Sequence, residues 1–225
     1  MKKTKILVVS VHPDDETLGC GGTLLKHKTK GDDVAWLIIT NVAENFGFSK
    51  ERVDSRNKEI AIVAQAYGFK ELFNLNLKPA GLNSENNAEL IEKISQVFND
   101  YQPETIYLIN RSDAHSDHRY AFEAVMACTK TFRYPFIKKV LMYECISETE
   151  FAPALPEKML IPNYYVDISE YMDEKIKIMS VFESELQEAP FPRSIENIKA
   201  LAHFRGSSSG VQYAEAFQLL KYIDK

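Results

Sequence analysis

Two short stretches concentrate groups that could hold a metal ion and move protons: His12-Pro13-Asp14-Asp15-Glu16, and the segment Asn110-Arg111-Ser112-Asp113-Ala114-His115-Ser116-Asp117-His118. Of only five histidines in the chain, His12, His115 and His118 fall inside them. Imidazole and carboxylate are good zinc ligands, and a catalytic zinc commonly keeps three protein ligands with a fourth position open for water. His12, Asp15 and His118 supply that count. Pro13 disfavours helical backbone at His12 and holds it extended. Asp15 stands where a helix opens, so both side chains can point into one crevice. Capping a helix needs one acid, and three in a row after a histidine exceed that need. His115 is left for acid or electrostatic duty. Asp117 is close enough in sequence to accept a hydrogen bond from the His115 ring and fix its tautomer.

These residues need a scaffold that brings two distant segments together. Ile6 to Val11 is a continuous apolar, β-branched run, which reads as a parallel strand buried on both faces. It stops at His12-Pro13, and a helix follows from Glu16. Gly31-Asp32-Asp33 turns the chain into a second strand, Val34 to Thr40. Ser49 can cap a helix over Lys50 to Tyr67 that Gly68 ends, and Glu71 to Leu75 is a third strand. A helix after Asn87 reaches Tyr101, then come a strand over Thr105 to Ile109, a helix over His118 to Lys130 and a fifth strand over Lys139 to Tyr143. Alternation at this spacing predicts an α/β fold: a Rossmann-like, doubly wound, mostly parallel sheet with helices on both faces. In the common strand order 3-2-1-4-5, strands one and four are neighbours and flank the ligand crevice. Both motifs leave those strands at that edge.

Beyond Tyr143, Pro153, Pro156 and Pro162 mark Phe151 to Asn163 as an ordered loop near the site. After it the pattern turns helical, with helices expected over Ser169 to Phe182, Ser194 to Phe204 and Tyr213 to Tyr222, separated by Pro190-Phe191-Pro192 and Gly206 to Gly210. A chain of 225 residues with 45% hydrophobic content suits one domain over residues 1–225. Net charge is −5 with pI about 5.6, which offers no basic stripe for nucleic acid. The apolar run after Met1-Lys2-Lys3-Thr4-Lys5 is too short for a signal-peptide core or a membrane span. Cys20, Cys128 and Cys145 are odd in number and far apart with no C-x-x-C spacing, which argues against a disulfide framework and a thiolate zinc site and fits a cytoplasmic location. A homo-oligomer is the ordinary expectation for such a chain.

Taken together, His12-Pro13-Asp14-Asp15-Glu16 with Gly19 and Gly21-Gly22, Arg56-x-x-Glu59, His115-x-Asp117-His118, and Gly210-x-x-Tyr213-Ala214-Glu215-x-Phe217 resemble the zinc-dependent N-acetyl-sugar deacetylases of the PIG-L and LmbE-like family. That family includes the bacillithiol and mycothiol pathway deacetylases and the glycosylphosphatidylinositol-precursor deacetylase. The resemblance spans almost the whole chain. It implies a Rossmann-like fold, zinc held by His12, Asp15 and His118, Asp14 as general base, and an N-acetylglucosamine-type amino sugar or its conjugate as the small-molecule substrate. It also offers Arg56 for substrate hydroxyls or a phosphate, against a plain ion pair with Glu59. Ser116 replaces the proline that the family usually has between the second motif's histidine and aspartate.

Other readings of the same residues are a metal-dependent amidase or phosphoesterase, and a nucleotide-binding module. Against the last, Gly19-Cys20-Gly21-Gly22 lacks the spacing of G-x-G-x-x-G and follows three acids where a phosphate would sit. Arg205, beside a glycine and serine run, reads as part of a turn between two helices ahead of a role in holding a nucleotide or sugar phosphate, and His27 and His203 read as structural or solvated groups.

Overall fold

The apolar run at the start of the chain becomes the centre of the sheet. In the computed structural model, which describes residues 3–83 and 86–224, β1 (Lys5–Ser10) is buried from Ile6 onward and pairs in parallel on both sides. Its neighbours are β2 (Asp33–Thr40) and β4 (Thr105–Ile109). Met1 and Lys2 of the N-terminal stretch lie outside the described residues. With β3 (Glu71–Leu77) beside β2 and β5 (Lys139–Tyr143) beside β4, the parallel part has the expected order 3-2-1-4-5. The intervening helices are α1 (Asp15–Lys30), α2 (Lys50–Tyr67), α3 (Asn87–Tyr101) and α4 (Ser116–Ala127). Ser49 caps α2 by accepting the Arg52 N–H, and Gly68 ends it in left-handed backbone.

The C-terminal part differs from its sequence pattern. Helices α5 (Met172–Met179) and α6 (Ile195–Ser209) form, but Tyr164–Asp167 is a strand, β6, and the segment expected as a last helix is a strand, β7 (Ala214–Tyr222). The sheet therefore has seven strands in the order β3-β2-β1-β4-β5-β7-β6, with β7 antiparallel to both of its neighbours. Ala214-Glu215-Ala216-Phe217-Gln218-Leu219-Leu220 favours a helix on propensity alone, yet the open edge of β5 offers a ladder of unpaired backbone groups, and pairing overrides a preference worth only tenths of a kcal/mol per residue. The glycine and serine run expected to break the chain instead continues α6 through Ser209, and Gly210 closes it at φ 74°.

The small residues of α1 let it lie tight against the sheet. A Cβ on Gly19 would sit 2.2 Å from the Tyr143 ring, and one on Gly22 would sit 2.6 Å from Ile168 Cβ. Where the sequence hinted at a phosphate loop, the glycines serve close packing. Midway along α1, the Gly22 and Thr23 N–H groups donate to the Glu215 carboxylate at 2.8 and 2.7 Å. Lys175 donates to Glu215 at 2.7 Å and to the Leu18 carbonyl at 2.8 Å. This buried pair ties α5 and β7 to the helix that begins at the first motif. Among the described residues no helix is long and apolar enough to cross a membrane.

Gly19→Ala tests the close approach. Alanine gains about 1 kcal/mol of helix propensity over glycine, but Tyr143 is fully buried and pinned by its hydroxyl bond to the Val9 carbonyl at 2.7 Å. Overpacking, typically about 1–3 kcal/mol, wins. The variant melts at a lower temperature than the parent, and a higher melting temperature would show that the ring moves aside freely.

Candidate metal centre

Strand β1 runs out at Ser10, and the chain then folds back on itself through the side chain of Asp15. Its Oδ2 accepts the N–H groups of Val11 at 2.9 Å and His12 at 2.8 Å. Glu16 Oε2 accepts the Asp14 N–H at 3.1 Å. Between these anchors Asp14 is held at φ 141°, a backbone region that costs a non-glycine residue on the order of 1–3 kcal/mol and persists only where the surroundings over-determine it.

The second motif arrives from β4, hydrogen-bonded in parallel to β1, so both loops leave the same sheet edge. His12 Nδ1 and His118 Nε2 stand 3.3 Å apart, and Asp15 Oδ2 lies 3.9 Å from the former and 3.6 Å from the latter. Ligands bound tetrahedrally at about 2.0–2.1 Å stand roughly 3.3–3.4 Å from one another, so this triangle fits one tetrahedral divalent ion with little adjustment. The other ring nitrogen of His118 is 2.8 Å from Asp113 Oδ2. A proton on Nδ1 donated there leaves Nε2 with its lone pair toward the triangle, as a ligating imidazole requires. Asp113 is itself fixed by Asn110 at 2.7 Å and Thr149 at 2.6 Å. Burial opposes charge on His118, yet the Asp15 and Asp113 carboxylates outweigh it and push its pKa up to about 9. The cluster is short of positive charge.

Asp14 is buried beside the triangle, and its carboxylate accepts from Arg193 Nη1 at 3.2 Å. Burial first, then the Asp15 and Glu185 charges, push its pKa up to about 7, while Arg193 and Arg56 pull against them. His115 caps α4, its Nδ1 accepting the Asp117 N–H at 3.1 Å, so the neutral ring carries its proton on Nε2. Burial and the neighbouring His12 and His118 lower its pKa. The expected bond from the His115 ring to the Asp117 carboxylate does not form. That carboxylate accepts the Ala80 and Leu82 N–H groups at 2.7 and 3.1 Å and faces His12 Nε2 at 3.6 Å. Contact with the loop after β3 decides this, and nothing within the motif signals it.

Arg56 is turned inward. Its Nη1 donates to the Pro13 carbonyl at 2.8 Å, its Nε pairs with Glu59 at 3.2 Å, and its Nη2 pairs with Glu185. The ion pair weighed from the sequence is present, within a larger set of bonds. Arg205, expected in a turn, lies instead within α6 and forms a two-pronged pair with Glu144 at 2.8 and 2.6 Å. His27 bridges Asp32 and Tyr107, and His203 bonds the Gln212 carbonyl, so neither approaches the cluster. A cavity of about 310 Å³ opens over the triangle, walled by Asn41, Phe48, Arg52, Pro79 and Ala80 among others. Residues that the sequence reading missed also line it. Arg193 follows a proline-rich turn, Glu185 ends a 3-10 turn, and Glu148 accepts the His115 N–H at 2.9 Å. None lies in a motif.

Comparison with known proteins agrees with the motifs. The family model for the GlcNAc-PI de-N-acetylase, PIG-L, matches residues 7–129, a span that holds both histidine and aspartate motifs. The diacetylchitobiose deacetylase of Thermococcus kodakarensis is 26% identical over 97% of this chain and 84% of its own. A probable N-acetyl-alpha-D-glucosaminyl L-malate deacetylase of Bacillus cereus is 25% identical over 81% of this chain and 84% of its own. The crystal structure of a conserved protein from Thermus thermophilus superposes with a TM-score of 0.77 at 27% identity, covering 98% of this chain and 96% of that one. With the fold and more than half of the residues matched, this chain belongs to the PIG-L (GlcNAc-PI de-N-acetylase) family.

Proposed function

We propose that this protein is a zinc-dependent hydrolase that removes the N-acetyl group from an N-acetylglucosamine-type amino sugar or its conjugate. The observation that carries this reading is the triangle of His12 Nδ1, Asp15 Oδ2 and His118 Nε2, with edges of 3.3, 3.9 and 3.6 Å, under an open cavity. Two imidazoles and one carboxylate are a donor set that suits zinc. The relatives named for diacetylchitobiose and for N-acetylglucosaminyl malate both act on acetamido sugars, which supports the substrate class. The unpaired, buried Cys20, Cys128 and Cys145 support a reducing, cytoplasmic setting.

His12, Asp15 and His118 would hold a zinc ion, which would supply Lewis acidity toward the acetamide carbonyl and make water a stronger acid. Asp14, buried beside the three would-be ligands and held through one oxygen by Arg193, accepts the proton of the attacking water. His115, with its proton on Nε2, donates to the oxyanion of the tetrahedral species. The proton taken by Asp14 passes to the amine as the carbon–nitrogen bond breaks. The products are acetate and the free amino sugar.

Metal analysis of purified protein then finds close to one zinc per chain, and His12→Ala or His118→Ala loses it. Asp14→Ala keeps zinc but loses on the order of 10²–10⁴-fold in kcat, measured as acetate release over a panel of N-acetylhexosamine derivatives. Full turnover in the Asp14 variant would falsify its assignment as the base. Asp113→Ala leaves His118 without its orienting carboxylate, so zinc affinity in competition with a chelator drops about 10–100-fold. Unchanged affinity removes Asp113 from the support of the metal.

A further inference from the structure

The residues around Asp14 come from two distant parts of the chain and meet at one carboxylate, that of Glu185. Glu185, at the end of the 3-10 turn Glu183–Glu185, takes Arg56 Nη2 and Arg52 Nη2 on Oε1, the latter at 3.2 Å, and Arg193 Nη1 on Oε2 at 3.2 Å. Two of these arginines also reach the strained turn. Arg56 donates to the Pro13 carbonyl at 2.8 Å, and Arg193 donates to Asp14 Oδ2 at 3.2 Å. The guanidiniums would repel one another without the acid between them. Burial disfavours charge on Glu185, but Arg56 and Arg193 more than offset it and hold its carboxyl below the usual range. The side chains of Glu185 and Arg56 are 17% and 6% exposed, so little solvent screens the network.

We infer that Glu185 is a positioning residue, which acts through Arg56 and Arg193 to fix the Pro13–Asp14 turn and aim the Asp14 carboxylate. The inference rests on the reading of Asp14 as the base. Bonds made only to glue the C-terminal segment to α2 would have no reason to end on Pro13 and Asp14. Asp14 Oδ2 is occupied by Arg193, which leaves Oδ1 for the water. A base displaced by about 1 Å can lose 10²-fold in rate with no change in what it is made of.

Kinetics of Glu185→Gln test this. The amide keeps the shape and removes the charge. The expected result is a fall in kcat on the order of 10²-fold, with KM and zinc content unchanged. Arg193→Gln, which cuts the link to Asp14 and spares Arg56, reproduces the kcat loss at a smaller loss of melting temperature, so a fold too weak to purify does not decide the matter. In an Asp14→Asn background the residual rate is indifferent to Glu185→Gln, because nothing is left to orient; losses that simply multiply, or wild-type kcat in the single variant, overturn the inference. A crystal structure of Glu185→Gln separates this from the function itself. If the parent protein releases no acetate from any acetamido sugar, the hydrolase reading fails, whereas Asp14 moved off Arg193 still supports the positioning role and an unmoved Asp14 ends it.

Discussion

Five carboxylates buried at one sheet edge are the constraint that the rest of the structure answers. Asp14, Asp15, Glu16, Asp113 and Asp117 are all 3% exposed or less. Burying an ionised acid costs several kcal/mol unless hydrogen bonds or opposite charges replace its water. Each acid here has its own solution. Asp15 takes two backbone N–H groups, Asp117 takes two from the loop after β3, Asp113 takes an amide and a hydroxyl, and Asp14 takes a guanidinium. Glu16 has one backbone N–H and one hydroxyl, and burial pushes its pKa up to about 8. The remaining deficit of positive charge falls between Asp15 and His118, where a divalent cation would fill it.

The sheet delivers this arrangement because β1 and β4 are adjacent and parallel, so their C-terminal ends open at one edge. A helix start alone would leave that edge loose. The C-terminal part braces it twice. Lys175 and Glu215 grip the middle of α1, and Arg193, itself paired with Glu185, grips the turn before it. Asp14 can then keep a φ of 141° that an isolated turn would release.

Legibility in the sequence follows the range of the interactions. The parallel strands at the centre are runs of β-branched residues whose burial is uniform, and the ligand triad sits within two local motifs, so both could be read from neighbours in the chain. The strand β7 could not, because its residues favour a helix and only the edge of β5 decides otherwise. The helix α6 ran on for the reverse reason: Gly206 packs where a Cβ would meet the Val211 carbonyl at 2.6 Å, so glycine marks crowding there and not a break. Glu185 and Arg193 find their partners more than a hundred residues away, without motif or periodicity to announce them. Asp117 is the instructive intermediate: its presence near the site was legible, but its partner was set by Ala80 and Leu82, which arrive from another loop.

The two imidazoles of the triangle are not equivalent, and the difference gives the site a direction. The His118 side chain is 1% exposed and locked by Asp113, while the His12 side chain is 24% exposed and has only the more distant Asp117 behind it. The rings of His12 and His115 lie 4.6 Å apart at the mouth of the cavity. His118 and Asp15 therefore form the floor, set before anything binds, and His12 forms the side that faces solvent. The cavity beside the triangle is lined by His12, Asp14 and His115 among others, and a further ligand would enter through it. That side carries the buried Asp14 carboxylate and the His115 Nε2–H, so a water on an ion held by the triangle would meet a hydrogen-bond acceptor and a donor without any rearrangement of the floor.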